Sequence, residues 1–263
     1  ARDGVDVILN PSASHFAFGK LEVRKRFVLE GSRAFGAAYL YANLLGNESG
    51  RAIYDGGALI AAGGQLRAVG TRFQLVDHAL TSATVDIEQL RLGQARTASF
   101  QPDLTAERPQ PITIPFAWPS APARTTSEGG VADVRLSKEE EFTGAETLAL
   151  FDYLRKSGAR GFVVSLSGGA DSSAVTALIA LMIRSALGQW GSAALASRLG
   201  FGPADDGDPR AWTRALLTTV YQASANSGSV TRAAARAVAE AVGADHLEWE
   251  IGDLVAGYVA RVE

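Results

Sequence analysis

Apolar positions in the first half of the chain switch between strand-like and helix-like spacing. The run from Val5 to Leu9, followed by Asn10 and Pro11, predicts a buried strand that stops at a turn. Residues 20–35 mix charged and apolar side chains at helical spacing, which predicts an amphipathic helix. Further strands are predicted at 37–45, 58–62, 66–69 and 84–87, with a turn at 46–50 and a hairpin turn at Gly63 and Gly64.

The second half of the chain alternates helix and strand patterns in a regular order. Ser137 and Glu140 have the spacing of a capping box and predict a helix to about Ser157. Residues 162–166 predict a strand covered on both faces, and a second helix is expected to stop at Gly188. Later patterns predict a strand at 216–221, a helix at 232–242 closed by Gly243, and a strand at 247–251. Such alternation predicts an α/β fold with a doubly wound parallel sheet.

A proline-rich segment separates the two halves. It contains Pro102, Pro109, Pro111, Pro115, Pro119 and Pro122. Dense proline without hydrophobic periodicity predicts an extended connector at residues 93–136, between domains at 1–92 and 137–263. The chain opens within two residues of Asp3 and Gly4, which precede a strand-like run, and it closes inside a helix-like one, so we expect both ends to be internal to a longer protein.

The composition of the chain disfavours several classes of function. The chain is 47% hydrophobic with a net charge of -3 and no run of Lys or Arg, which disfavours nucleic-acid binding. We find no apolar stretch of about 18 residues and no secretory signal, so we expect no membrane association and a cytoplasmic location. Zero Cys excludes disulfides, thiolate metal sites and thiol nucleophiles, and the three His are isolated, which disfavours a zinc site.

The segment from Ser165 to Ser173 carries the most specific chemical signal, because it joins the predicted strand to the predicted helix. Its two glycines allow a tight turn near a bulky anion, and a helix N-terminus directs N–H groups at that anion. Asp171 suggests a Mg²⁺ that bridges carboxylate and phosphate oxygens. The alternative is an ordinary strand-to-helix turn with a capping Asp or Ser. The complete S-G-G-x-D-S string in this context favours a phosphate loop, and it matches neither the P-loop nor the Rossmann pattern.

This string resembles the pyrophosphate loop of the N-type ATP pyrophosphatases, which include NAD+, GMP and asparagine synthetases. The resemblance implies that ATP and Mg²⁺ are held by Ser165, Ser167, Gly168, Gly169, Asp171, Ser172 and Ser173, with Asp171 as the metal ligand. Residues 216–235 resemble the second strand and helix of NAD+ synthetases. That likeness implies that Thr219, Val220 and Tyr221 lie near adenine, with Ser227 and Thr231 close by. The alternative for these residues is strand core and helix capping.

Residues 9–20 and 39–57 resemble the C-terminal half of the nitrilase-type amidohydrolase domain of glutamine-dependent NAD+ synthetases. The likeness implies that Ser14 and Lys20 hold the α-carboxylate of glutamine, although Lys20 alone also reads as a solvated lysine. Asp55, Gly56 and Gly57 read as a turn. Such domains use a Glu, Lys and Cys triad that precedes the strand matching residues 5–9, so we expect no catalytic residue in this chain.

The resemblance implies a fold with two parts: the C-terminal half of a nitrilase-like α/β sandwich, then part of an adenine nucleotide alpha hydrolase-like domain with a doubly wound sheet. It implies a carbon–nitrogen ligase, homo-oligomeric at full length. Such an enzyme makes NAD+ from deamido-NAD+, ATP and glutamine-derived ammonia through an acyl-adenylate, releasing AMP and pyrophosphate. We expect this chain alone to bind ATP weakly and to make no NAD+. The alternatives are another amide-forming ligase of the same superfamily or a non-catalytic nucleotide-binding module.

Overall fold

The computed structural model describes residues 4–48, 50–97, 112–117, 135–203, 207–225 and 227–262. The predicted connector therefore lies mostly outside the described residues. In chain order the elements are β1 (Val7–Ser12), α1 (Lys20–Phe35), β2 (Ala38–Asn43), β3 (Leu45–Glu48), β4 (Ala52–Asp55), β5 (Ala58–Ala62), β6 (Gln65–Val69), α2 (Ile87–Arg96), α3 (Lys138–Ser157), β7 (Phe162–Ser165), α4 (Ala170–Leu199), α5 (Pro209–Leu216), β8 (Leu217–Ala223), α6 (Ser229–Val242), β9 (Asp245–Glu250) and α7 (Gly252–Val262).

These elements form two compact units that interleave along the sequence. The first unit holds the described residues within 1–44, 56–72 and 79–135. The second unit holds those within 45–55, 73–78 and 136–263. Two short segments from the first half of the sequence, 45–55 and 73–78, thus belong to the second unit.

The first unit is built on a four-stranded sheet in the order β1-β2-β5-β6. Strand β1 runs parallel to β2, and the other pairs are antiparallel. Helix α1 covers this sheet, with Val28 fully buried against Tyr39, Tyr41 and Leu59. The bounds predicted for α1 are confirmed, because apolar spacing and the flanking Gly19 and Gly36, both at positive φ, define the helix locally.

Three predictions for the regions of β1 and α2 are wrong. Strand β1 does not stop at Asn10 but runs through Pro11 to Ser12. Among the described residues β1 is an edge strand, and an edge strand tolerates proline because its outer side has no neighbouring strand that needs a backbone N–H. It is not buried either, since Leu9 is 71% exposed. No strand forms at 84–87: residues 84–86 precede α2, which begins at Ile87 and is capped by the Asp86 carboxylate, which accepts from Gln89 N at 3.0 Å.

The second unit contains a parallel three-stranded sheet in the order β7-β8-β9. Its core joins residues of α3, α4 and α5, with Ile183 and Trp212 fully buried. The capping box at Ser137 is present, and α3 ends at Ser157 as predicted. The parallel strands with intervening helices confirm the α/β class of this unit.

Helix α4 departs from its prediction. It does not stop at Gly188 but continues to Leu199, with a break at Gly191 (φ 69°, ψ 167°). Helix α5 was not predicted, because residues 189–213 show no clear pattern. Among the described residues, α4 is the one helix long and apolar enough to cross a membrane, a test that core helices of soluble proteins also pass.

The turn predicted at residues 46–50 is also placed wrongly, because Gly46, Asn47 and Glu48 form strand β3. Strands β3 and β4 pair as an antiparallel hairpin, which we call the β3–β4 hairpin (residues 45–55). Leu45 and Ile53 of this hairpin pack against the core of the second unit, as does Leu75 of the segment 73–78. We call residues 73–78 the strap.

Candidate nucleotide-binding site

The loop between β7 and α4 is fixed at both ends. Leu166 is fully buried, and its N–H donates to Val220 O at 2.9 Å, which attaches the start of the loop to β8. Gly168 has φ +80°, and a Cβ atom there would lie 2.3 Å from Thr231 O. Only glycine fits this conformation and this approach to α6. The loop backbone therefore lies directly against the first turn of a second helix.

Serine hydroxyls brace the loop. Ser172 Oγ accepts from Ser167 N at 3.2 Å and lies 3.1 Å from Ser167 Oγ. Gly169 N donates to Ser167 Oγ at 3.3 Å, and Ser173 Oγ donates to Gly169 O at 2.7 Å. The three hydroxyls predicted to contact phosphates thus hold the loop backbone in shape. A loop ordered in this way loses little entropy when a ligand binds.

The loop is open to an anion. Ser167, Gly169 and Asp171 are exposed. The N–H groups of Ala170, Asp171 and Ser172 belong to the first turn of α4, where no carbonyl within the helix can accept from them. Together with the helix dipole they form a positive end suited to phosphate.

Asp171 is the acidic residue in the first turn of α4. Within the described residues, no cluster of three or more His, Cys, Asp or Glu side chains is placed to hold a metal ion. Protein sites for Mg²⁺ commonly supply only one or two carboxylates and leave the rest to water and substrate phosphates. A single exposed carboxylate beside an anion-binding helix end fits a Mg²⁺ that arrives with a nucleotide.

A cleft of about 300 Å³ opens beside the loop. Its lining comprises Ser165, Leu166, Ser167, Val220, Tyr221, Gln222, Ser227, Gly228 and Thr231. The cleft lies at the carboxyl ends of β7 and β8, where open parallel sheets bind their ligands. Tyr221 OH lies 2.9 Å from Thr231 Oγ1, so strand β8 and helix α6 are joined across the cleft wall.

The structure brings most of the predicted residues together but not all of them. Val220 and Tyr221 line the cleft, as do Ser227 and Thr231. Thr219 does not, because its side chain is fully buried and its hydroxyl lies 2.8 Å from His246 Nδ1 and 3.2 Å from Asp245 O. Its position supports the alternative reading as strand core.

Sequence reasoning missed Gln222, which lies on the cleft wall and accepts a hydrogen bond at Oε1 from Ser165 Oγ at 3.0 Å. Because its oxygen is engaged by Ser165, the amide N–H end is what Gln222 offers a ligand. Strand β8 continues to Ala223, two residues beyond the predicted end. A polar side chain at the carboxyl end of a buried strand was the available signal.

In the first unit, Ser14 lies in the loop between β1 and α1, and Lys20 is the first residue of α1. Asn43 binds the Ser14 backbone twice, with Ser14 N donating to Asn43 Oδ1 at 2.8 Å and Asn43 Nδ2 donating to Ser14 O at 2.9 Å. The Arg24 guanidinium donates to Ser14 O at 2.6 Å, and Lys20 Nζ donates to His15 O at 2.9 Å. Arg24 is buried, and the sequence did not reveal its role. Two cations at one braced loop suit a carboxylate ligand.

Comparison with known proteins gives this geometry a context. A family model described as NAD synthase matches residues 144–263. The chain is 32% identical over 272 residues to the glutamine-dependent NAD(+) synthetase of Oryza sativa subsp. indica, and covers 100% of itself and 37% of that protein. It is 33% identical to the Homo sapiens protein of the same name, covering 96% of itself and 37% of that relative.

Solved structures agree with these matches. The crystal structure of a glutamine-dependent NAD(+) synthetase from Cytophaga hutchinsonii is similar with a TM-score of 0.72 and 36% identity, over 98% of this chain and 38% of that one. The corresponding enzyme from Acinetobacter baumannii in complex with ADP has a TM-score of 0.62 and 18% identity, over 98% of this chain and 36% of that one. At that identity the likeness shows the fold alone.

The chain spans about 37% of the length of the curated relatives that it matches. The matched region includes both the first and the second unit of this chain. The string of serines and glycines at 165–173 and the parallel sheet around it lie inside the matched region. Residues 144–263 therefore match the NAD synthase family model, and the chain is similar along its whole length to glutamine-dependent NAD(+) synthetases.

Proposed function

We propose that this chain forms the ATP-binding part of a glutamine-dependent NAD+ synthetase, a carbon–nitrogen ligase. One observation carries the proposal: an exposed, serine-braced loop that ends in a helix N-terminus beside a cleft at the carboxyl ends of parallel strands. The family match over residues 144–263 supports it independently. So does the ADP complex of the relative from Acinetobacter baumannii, which shares the fold.

We propose the following roles for this chain's residues in the reaction. The amides of Ala170, Asp171 and Ser172 bind the phosphate tail of ATP, and Ser167 and Ser172 hold the loop that positions it. Val220 and Tyr221 form the wall against the adenine. Asp171 would hold Mg²⁺, which would supply positive charge against the negative charge of the reacting phosphates.

In the proposed reaction, a carboxylate oxygen of deamido-NAD+ bonds to the α-phosphorus of ATP, and the bond from that phosphorus to the bridging oxygen breaks. Pyrophosphate leaves with the electron pair. Ammonia then attacks the acyl carbon, loses a proton and displaces AMP. The product is the amide of NAD+. The N–H groups at the start of α4 stabilise the negative charge that pyrophosphate carries away.

For the first unit we propose the C-terminal half of a nitrilase-like amidohydrolase domain that supplies ammonia from glutamine. Its support is the likeness to glutamine-dependent relatives across this region and the braced loop with Ser14 and Lys20. No member of the Glu, Lys and Cys triad is assigned within this chain. On the resemblance alone, we further propose a homo-oligomeric full-length enzyme in the cytoplasm.

Nucleotide binding by the 263-residue chain tests the ATP site. Displacement of a fluorescent ATP analogue by MgATP measures the affinity. We expect Ser172→Ala to weaken binding by about tenfold, or roughly 1.4 kcal/mol, because the loop loses its central hydroxyl. Ser185→Ala is the matched control, since Ser185 is exposed on the same helix and lies outside the cleft.

Unchanged affinity in Ser172→Ala, or no displacement by millimolar MgATP, would contradict the site. The reaction itself is tested in the full-length protein supplied with ammonia. Pyrophosphate release that depends on deamido-NAD+ supports the synthetase. Release that depends on a different carboxylate substrate supports another amide-forming ligase.

A further inference from the structure

The β3–β4 hairpin contacts α3 through one buried carboxylate. Asp152 Oδ2 accepts from Asn47 N at 2.7 Å, and the Asp152 side chain is 4% exposed. Arg155 donates to Asp152 Oδ1 at 2.6 Å. Lys156 Nζ lies 2.6 Å from Asp152 Oδ2 and donates to Asn47 O at 2.7 Å. Both backbone groups of Asn47 are thus bound by side chains of α3.

The hairpin backbone fits closely against this carboxylate. Gly46 has φ +121°, and a Cβ atom there would lie 2.6 Å from Asp152 Oδ2. Any other residue at position 46 would be strained in conformation and would push the carboxylate away. The contact is therefore specific on both sides: a glycine in the hairpin and an aspartate in α3.

The strap is held by α4 in a similar way. Leu75 N donates to Gln189 Oε1 at 2.9 Å, and Trp190 Nε1 donates to Leu75 O at 2.7 Å. The Leu75 side chain is buried in the core of the second unit. Asp77 binds Arg155 at 2.6 Å and Arg198 at 3.0 Å, and the Arg198 guanidinium lies 3.5 Å from the centre of the Trp190 ring.

The contact of the β3–β4 hairpin with α3 and that of the strap with α4 have the same hydrogen-bonding arrangement. In each, side chains of α3 or α4 satisfy the N–H and the C=O of one residue from the first half of the sequence. Removing Asp152 would leave the Asn47 N–H without its acceptor and would take from Arg155 and Lys156 their buried partner, so the contact would be weakened from both sides. Such groups are costly to bury unless their partner is always present.

We infer that α3 and α4 form a docking surface for the first half of this same chain, centred on Asp152. The second unit is therefore composite: residues 137–263 do not complete it, and the β3–β4 hairpin and the strap belong to its folded structure. This inference stands on contacts within the second unit and does not depend on the proposed function.

Cleavage of the folded chain tests the inference. A protease site is inserted within residues 120–130 of the proline-rich segment, the intact chain is purified and cleaved, and gel filtration and titration measure association of the pieces. We expect the pieces of the parent chain to co-elute. Asp152→Ala is expected to raise their dissociation constant at least tenfold. The substitution Glu240→Ala, which removes an exposed carboxylate of α6, is expected to leave the dissociation constant unchanged.

Gly46→Ala provides the same test from the other piece and leaves α3 intact, so the inference stays testable should Asp152→Ala fail to fold. Separation of the parent pieces after cleavage overturns the inference. So does a dissociation constant that both Asp152→Ala and Gly46→Ala leave unchanged. Binding of the ATP analogue, measured on the same samples, reports the proposed function separately.

Discussion

At the scale of single residues, the phosphate loop shows what a local string can reveal. The contiguous serines, glycines and Asp171 were sufficient to predict the position of the loop, because strand, turn and helix follow one another in sequence. The close approach of Gly168 to Thr231 was not predictable, since it depends on where α6 lies in the fold. For the same reason the sequence placed Thr219 near adenine, whereas its hydroxyl is bound within the sheet.

Gly168→Ala is expected to weaken MgATP binding by tenfold or more. The added Cβ would lie 2.3 Å from Thr231 O, and the φ of +80° disfavours any L side chain, so the loop must move. Displacement of the fluorescent ATP analogue measures the effect. Gly188→Ala is the matched control: its site in α4 is open, with nothing within 4 Å of the added carbon.

The control has its own expected result. Because Gly188 lies inside a helix, alanine there stabilises the fold by about 0.5–1 kcal/mol and leaves nucleotide affinity unchanged. Equal MgATP affinities of Gly168→Ala and the parent chain would show that the loop does not need this approach to α6.

At the scale of elements, prediction succeeded where the signals are local. The capping box at Ser137 and the apolar spacing of α1 set the bounds of two helices correctly. The end of α4 was misplaced because glycine at an ordinary helical φ, as at Gly188, does not stop a helix. The break occurs at Gly191, between two residues with tertiary partners: Trp190 binds Leu75, and Ser192 accepts from Trp212 Nε1 at 3.0 Å.

Gly191→Ala is expected to destabilise the fold by about 1–3 kcal/mol, because its φ of 69° with ψ of 167° is a conformation open essentially to glycine alone. Urea unfolding followed by circular dichroism measures the loss. The opposite sign is expected for Gly188→Ala, three residues earlier on the same helix. Two alanine variants that change stability in the same direction would refute this account of the break.

At the scale of the whole molecule, the order of the sequence is a poor guide to the units. The patterns predicted an α/β fold, but they predicted a turn at residues 46–50, where most of β3 lies, and nothing near Asn47 indicates a bond to Asp152. A buried carboxylate in the middle of α3 reads in sequence as one more polar position on an amphipathic helix. Contacts between residues distant in sequence decide which unit a segment joins.

Acid unfolding tests the weight of the Asp152 contact. Burial raises the pKa of Asp152, but hydrogen bonds from Lys156, Asn47 N and Arg155 outweigh it and hold the pKa below its ordinary 3.8. The stabilisation is therefore complete above the unfolded value of 3.8 and is lost as the pH falls through the lower folded value.

As the pH drops below 3.8, we expect the free energy of unfolding of the parent chain to decrease. Part of this pH dependence comes from Asp152 and should be absent in Asp152→Asn. Urea titrations between about pH 2 and pH 6 measure this slope, with Glu139→Gln as the exposed control. Parallel curves for the parent and Asp152→Asn would mean that the carboxylate charge contributes nothing to the folded state.

Two backbone hydrogen bonds within the first unit join the residues on either side of the segment 45–55. Gly56 N donates to Leu44 O at 3.0 Å and Asn43 N donates to Gly57 O at 3.1 Å, next to the pairing of Ala42 with Ala58. Strands β2 and β5 thus keep their register whatever lies between residues 44 and 56. We therefore expect changes in the length of this segment to leave the pairing of β2 with β5 intact, whereas the glycine facing Asp152 must be retained for the contact with α3.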